Sequence, residues 1–312
     1  MLADSSLLLR LRMRQLLLIR LLDAERHMGR AAAALNVSQP AATKLLAQAE
    51  EVLGERLFER LPRGMLPTPC GEVIAAYART LLVNFSSARE SMAALRSGLS
   101  GMLRIASVPG AVNQLVAPAL AEFKRRHPQV KVSVVVETSD VLVSLLERGE
   151  ADLVLGRLTE AHDRGDYAVV PLLEEALVVV VRQSHPFVGH NSVSLTDLSQ
   201  AAWVVQPPGT PQRTRFDAAL REAGITRKLN TTETSSTVMT TALLEVSDMV
   251  AVMPESLAQH YGRMGVLRAL PLDVPMRVPA INLITSEGRP LSAVAAQFVT
   301  LVQHLPRPAA TD

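Results

Sequence analysis

The chain has 312 residues, 48% of them hydrophobic and 20% charged, and a formal net charge of +2. That length favours two or three domains, and the composition is that of a folded soluble protein, not of a disordered or fibrous one. A single cysteine, Cys70, excludes an intrachain disulfide and a cysteine-only zinc site, and fits a reducing compartment. The charge is unevenly spread. Residues 1–70 hold ten basic and seven acidic side chains, a surplus of three, whereas residues 101–312 hold 19 against 21. The sign of that asymmetry favours a polyanion partner at the N-terminus.

In the opening MLADSSLLLRLRMRQLLLIRLL, arginines at 10, 12, 14 and 20 interrupt every apolar run, and no small-residue cleavage site follows. A cleaved leader is therefore not expected. No stretch approaches the roughly 20 apolar residues of a membrane span. The expected location is the cytoplasm, with no membrane partner.

From Arg12 to Asp23 the leucines and Ile19 recur at helical spacing, predicting a first helix. A short second helix is predicted over Gly29 to Leu35, stopped by Asn36, which tolerates the left-handed conformation. Ser38 caps a third helix in which Pro40 is tolerated, because first-turn N–H groups lack partners. Leu45, Leu46, Ala49, Val52 and Leu53 give that helix an apolar face, and Gly54 ends it. The stretch LFERLPRGMLPTPCG (57–71), with three prolines and two glycines, reads as a short β-turn element.

From Glu72 to Leu95 the apolar positions Ile74, Ala78, Leu81, Phe85, Ala88, Met92 and Leu95 alternate spacings of four and three. This heptad seam predicts one helix of about 24 residues; it reads as a helix that pairs with a second chain, the alternative being an amphipathic helix packed on its own domain. RSGLSG (96–101) is a linker. Beyond Leu103, strands alternate with helical segments, the mark of parallel sheets. Strands are predicted at LRIASV, VKVSVVVE and ADLVLGR, and a second sheet at ALVVVVR, AWVVQP and MVAVMP. Helices are predicted near 211–223 and 236–246, and AINLITS with a helix from Leu291 to His304 closes the chain. No internal repeat is visible.

Enzyme motifs are missing. There is no P-loop, no G-x-G-x-x-G after a strand, no G-x-S-x-G and no H-E-x-x-H. The seven histidines show no metal-ligand spacing. His127 and His185 precede prolines and read as solvated loop residues, and Cys70 as buried filler. No catalytic residue, metal or cofactor is expected. Residues 28–47 instead read as a helix–turn–helix. Ala31, Ala32, Leu35, Val37, Ala42 and Leu45 provide the small or apolar positions where the two helices cross. On the outward face of the third helix stand Ser38, Gln39, Thr43, Lys44 and Gln48, with no acid before Glu50. Such groups reach phosphates and base edges without repelling DNA.

Residues 12–71 resemble the N-terminal domain of the LysR-type transcriptional regulators. Ala31 through Ala41 carry that family's Ala-Ala-x-x-Leu-x-Val-Ser-Gln-Pro-Ala core, and Leu53-Gly54 with Leu57-Phe58-Glu59-Arg60 its following pattern. Departures are few. His27 and Met28 stand where the family usually has Ser and an aromatic or aliphatic residue. Thr43 replaces a Ser and Ala49 a Leu. Pro67 and Cys70 replace the wing's Leu and Ala, from which irregular wing pairing is expected.

The resemblance implies an α/β protein of three parts. These are a winged helix–turn–helix at 1–71, a dimerising linker helix at 72–101 and an effector-binding domain at 102–312. The last has two α/β lobes like a type 2 periplasmic binding protein: lobe I about 102–171 and 275–307, lobe II about 172–274. Implied partners are double-stranded DNA, a small-molecule effector, a second chain or a homotetramer, and RNA polymerase. Gln39, Thr43 and Lys44 are assigned to the major groove. Ser38, Arg60 and Arg63 are assigned to phosphates, with Arg30 and Pro40 in the same surface. The alternatives are a periplasmic-type solute-binding protein, which would carry a leader and no DNA-binding segment, and an enzyme, which no motif supports.

In an open α/β sheet ligands bind beyond the carboxyl ends of strands, where helices begin. SVPG (107–110), TSD (138–140) and PPGTPQ (207–212) are such places. Ser107, Pro109, Thr138, Ser139, Gly209 and Thr210 are therefore candidate effector contacts, and the resemblance implies that they converge on one cleft. Arg157 and Arg213 are the nearest cations. Together they suggest a small polar or carboxylate-bearing metabolite.

Overall fold

The computed structural model describes residues 10–62, 64–97, 101–159, 162, 166–273 and 276–305. Two compact units are present, Met1–Glu90 and Ser91–Asp312. In the first, helices α1 (Met13–Glu25), α2 (Met28–Ala34) and α3 (Gln39–Leu53) precede a hairpin of β1 (Phe58–Leu61) and β2 (Gly64–Pro67). Helix α4 (Pro69–Ser97) starts here and runs past the end of the unit.

Local chemistry sets each boundary. The His27 imidazole takes the cap position of α2, its Nδ1 accepting the N–H groups of Gly29 and Arg30 at 3.1 and 3.4 Å. Asn36 turns the chain at φ 54°, and the Val37 N–H returns to the Ala32 carbonyl at 3.0 Å. Ser38 Oγ accepts the Ala41 N–H at 3.4 Å, and Gly54 at φ 73° ends α3. Ala31, Ala32 and Ala42 are buried where the helices cross, packed with Leu18, Ile19 and Leu46. Methyl groups at these positions are what allow the close crossing.

The hairpin pairs regularly, Phe58 opposite Pro67 and Leu61 opposite Gly64, so the irregular wing expected from Pro67 is not found. Pro67 occupies the terminal pair, where a missing N–H interrupts no ladder. Three further hydrogen bonds hold the wing. The Met65 N–H donates to the Arg26 carbonyl at 2.8 Å, and the Glu50 carboxylate accepts the N–H groups of Leu57 and Phe58. Cys70 is exposed in the first turn of α4 and does not serve as core filler. Helix α4 has 29 residues, about 43 Å at 1.5 Å per residue.

The second unit begins with β3 (Met102–Ser107). A short turn, Pro109–Ala111, and a π-helical segment, Val112–Val116, lead into α5 (Ala117–Arg126). Then come β4 (Lys131–Val136), α6 (Ser139–Glu147), β5 (Leu153–Gly156) and the long β6 (Tyr167–Arg182). Next are β7 (Ala202–Val205), α7 (Pro211–Glu222), β8 (Asn230–Glu233), α8 (Thr237–Glu245), β9 (Val250–Pro254) and α9 (Glu255–Arg263). The unit closes with β10 (Leu267–Ala269), β11 (Met276–Ser286) and α10 (Ala293–Gln303).

Two separate sheets were expected; the described strands form one, in the order β4-β3-β5-β11-β6-β9-β7-β8, with β10 also on β6. At one end β4, β3 and β5 are parallel, and at the other β8, β7 and β9 are parallel. Between them β11 and β6 are antiparallel to each other and to their outer neighbours. Two of the unit's three buried hydrophobic clusters share both of these strands. Leu172 and Ile281 pack with Ile105, Leu153 and Phe298 in one core, whereas Leu177 and Val278 pack with Trp203 and Phe216 in the other. His185 is buried, stacked on Phe187 with its ring nitrogens hydrogen-bonded, and is not the solvated loop histidine expected.

Gly71 marks the tightest packing in the first unit, since a Cβ there would stand 1.9 Å from the Leu57 carbonyl oxygen. Gly71→Ala should therefore force hairpin and helix apart and destabilise the unit by about 1–3 kcal/mol. Hydrogen exchange on the full chain checks this: amides of α1 to α3 should exchange faster, while those of β3 to β11 stay unchanged.

Candidate nucleic-acid and effector sites

In the first unit α3 lays a polar face to solvent. Ser38, Gln39, Pro40, Lys44 and Gln48 are exposed and Thr43 is half-buried. Glu50 is turned away to hold β1, so the acid nearest this face in sequence is tied into the wing. Arg60 is exposed on β1, and neither it nor Lys44 forms an ion pair among the described residues. Arg30 differs. Its guanidinium is already bound to Glu25, Nε to Oε2 at 2.9 Å, in an exposed pair that is worth little and that a phosphate could replace. Arg63 lies outside the described residues.

Along α4 the seam divides. Ala78 is fully buried and Ile74 packs on the core of α1 to α3, so these two positions belong to their own domain and not to a partner. Leu81, Phe85, Ala88 and Met92 are exposed, Phe85 by 63% and Met92 by 58%, and Tyr77 adds another 67%. The Leu95 side chain lies outside the described residues. Exposed apolar side chains in such a row form a contiguous apolar patch, the kind of surface that interaction sites use.

In the second unit the carboxyl ends of six parallel strands face one cleft. One part, with about 290 Å³ of empty space, is lined by Pro109, Glu137, Thr138, Ser139, Arg157, Gln206 and Thr210, among others. An adjoining part of about 370 Å³ shares Pro109, Gln206 and Gln212 with it, and adds Thr234, Thr237, Val252 and Met253. Five of the sequence candidates, Pro109, Thr138, Ser139, Arg157 and Thr210, thus meet around one opening. Three do not. Ser107 is fully buried, its hydroxyl donating to the Val108 carbonyl at 3.1 Å. Gly209 forms the preceding turn at φ 86° and does not line the opening. Arg213 lines a neighbouring recess with Phe216.

Arg157 and Arg213, the nearest cations, are both paired with carboxylates of the same chain. Arg157 Nη2 lies 2.6 Å from Glu175 Oε2, with both side chains almost wholly buried, and its Nε donates to the Pro279 carbonyl at 2.5 Å. Arg213 is held by Asp217 and Glu233, each at 2.9 Å, and by the Gln206 carbonyl at 3.0 Å. Burial pushes the Glu175 carboxyl above the ordinary carboxylate range, against the pull of Arg157. Asp217 is the i+4 neighbour of Arg213, but Glu175, Glu233 and Pro279 lie 18, 20 and 122 residues from their arginines, beyond the reach of local pattern. The lining threonines 234 and 237 were missed because β8, a run of Asn, Thr, Thr and Glu, has no apolar alternation. Among the described residues no group of three or more His, Cys, Asp or Glu could hold a metal, and no helix is long and apolar enough to cross a membrane.

Comparison with known proteins bears on both sites. Residues 13–72 match the family described as bacterial regulatory helix-turn-helix protein, lysR family, and residues 96–306 match the LysR substrate binding domain. The HTH-type transcriptional regulator GbpR of Azospirillum brasilense is 36% identical over 284 residues, 91% of this chain and 83% of that protein. Among solved structures, full-length OxyR from Pseudomonas aeruginosa superposes with a TM-score of 0.71 at 23% identity, covering 96% of this chain and 99% of that one. Full-length CbnR complexed with its target DNA gives 0.66, also at 23% identity, covering 95% and 100%. At that identity the two structures speak for the fold alone. The family matches and the GbpR relationship are sufficient: the chain belongs to the LysR family of transcriptional regulators, with a helix–turn–helix head and an effector-binding domain.

Proposed function

We propose that this regulator reads its operator through the outer face of the first two turns of α3, which carries no acid before Glu50. Gln39, Thr43 and Lys44 meet base edges, while Ser38, Arg60 and Arg63 hold phosphates. Pro40 lies in the same surface, and Arg30 joins by exchanging Glu25 for a phosphate. The observation that carries this reading is the exposed row from Ser38 to Gln48 beside a firmly anchored wing. Residues 1–71 act as the reading head, 72–101 as the pairing helix and 102–312 as the effector-binding domain. Leu81, Phe85, Ala88, Met92 and Leu95 join two chains, a dimer being the minimal unit and a tetramer two of them. The strand-end cleft takes a small effector. The protein acts in the cytoplasm, without catalysis, and contacts RNA polymerase at the promoter.

Footprinting and salt titration separate the two kinds of DNA contact. Lys44→Ala should cost about 1–3 kcal/mol at particular base pairs and leave non-specific binding nearly unchanged. Arg60→Ala should weaken binding to every sequence and lower the salt slope by about one. Operator affinity unchanged in both would remove α3 and the wing from the interface.

Assembly is read by light scattering. Leu81→Glu combined with Phe85→Glu places like charges in the seam and should halve the mass of the smallest stable species. A variant that keeps the wild-type mass would show that pairing uses another surface.

A further inference from the structure

One guanidinium group, Arg157, lines the cleft and a second, Arg213, lines the adjoining recess that shares Gln206 and Gln212 with it, and each is committed to carboxylates of the same chain. Arg157 is bound to Glu175 and Arg213 to Asp217 and Glu233. Glu137 also lines the opening. Two positive and four negative side chains leave a local charge of −2. Helices α6, α7 and α8 start at the rim and return about half a positive charge each, so the cleft is close to neutral. The remaining polar lining is uncharged, chiefly Thr138, Thr210, Gln206, Gln212, Thr234 and Thr240. Val204, Val252 and Met253 supply an aliphatic wall.

Glu175 cannot easily leave Arg157. A Cβ on Gly110 would stand 2.0 Å from Glu175 Oε1, so the glycine is what admits the carboxylate. The Gly110 carbonyl is in turn fixed by the Ser256 hydroxyl at 3.2 Å. A metabolite carboxylate entering the cleft would have to displace this buried pair, leaving Glu175 charged and unpartnered.

We propose that Glu175, Asp217 and Glu233 set the ligand class of the cleft by neutralising Arg157 at its wall and Arg213 in the recess that adjoins it. The site then takes an uncharged molecule bearing hydroxyl or amide groups, not a carboxylate. This rests on the cleft being the effector site. Hydroxyl and amide groups of the ligand find matching threonine and glutamine partners, and no buried charge is uncovered when they bind.

Thermal unfolding of the full chain tests the proposal with matched probes, sodium butyrate and butyramide, each against sodium chloride at equal ionic strength. Wild type should show no carboxylate-specific rise in Tm. Asp217→Asn combined with Glu233→Gln frees Arg213 and should bind butyrate about tenfold tighter than wild type, a gain reversed by adding Arg213→Gln. Both acids are partly exposed, so this variant keeps its fold even if Glu175→Gln does not. Glu175→Gln, where it folds, should gain butyrate binding through Arg157. A wild type already stabilised by butyrate and not by butyramide, or folded variants without the gain, overturns the charge assignment. A gain that survives Thr210→Trp, which fills the opening, places the anion elsewhere; the cleft reading then fails, and the proposal with it.

Discussion

Two strands with opposite senses fix the geometry of the larger unit. Strand β6 enters the crossing from one lobe and leaves it in the other, and β11 makes the return journey beside it. β5 is antiparallel to the second half of β11, and β9 is antiparallel to the second half of β6. Both β5 and β9 therefore run towards the crossing, ending at Gly156 opposite Asn282 and at Pro254 opposite Leu177. Their parallel neighbours follow them. The loops that leave the carboxyl ends of these six parallel strands are thereby delivered to the same opening.

Charge at that opening follows from desolvation. A guanidinium as buried as that of Arg157 keeps its charge only with a carboxylate and a carbonyl in reach, and the crossing strands supply both, in Glu175 and Pro279. Pro279 sits where the β11–β6 register shifts, which turns its carbonyl out of the ladder and makes it available. The first unit shows the same economy of polar groups. Glu50, whose position in the later turns of α3 could have spoiled a DNA-facing surface, is consumed by two backbone N–H groups of the wing.

Much of this was legible in the chain itself. Ser38, Asn36 and Gly54 act at the helix boundaries their chemistry predicts, because capping and left-handed turns depend only on neighbours. The alternation of strands and helices after Leu103 was equally readable, and five residues at strand ends meet as the general rule for open sheets suggests. Long-range partners were not readable. That Ala78 faces its own domain, that Arg157 belongs to Glu175 and Pro279, and that two apparent sheets are one all depend on contacts distant in sequence. Strand β8 failed for another reason: it is wholly exposed at the sheet edge, so no apolar period marks it. The same 2-1-3 strand order at both ends of the sheet leaves no repeat in the sequence, since either core accepts many apolar combinations.

The interleaving of strands also constrains the order in which the chain acquires structure. All strands that flank the second core lie in one continuous stretch between β6 and the start of β11. The first core cannot close until Ile281, Leu283 and Phe298 arrive, since β11 fills the gap between β5 and β6 and Phe298 packs edge-on against Phe123 at 5.5 Å. During synthesis the earlier-made lobe must wait, its edge at β5 unpaired, for more than a hundred residues of the later one to leave the ribosome. A nascent chain arrested just after Leu270 would expose that edge, and would be the species a chaperone meets.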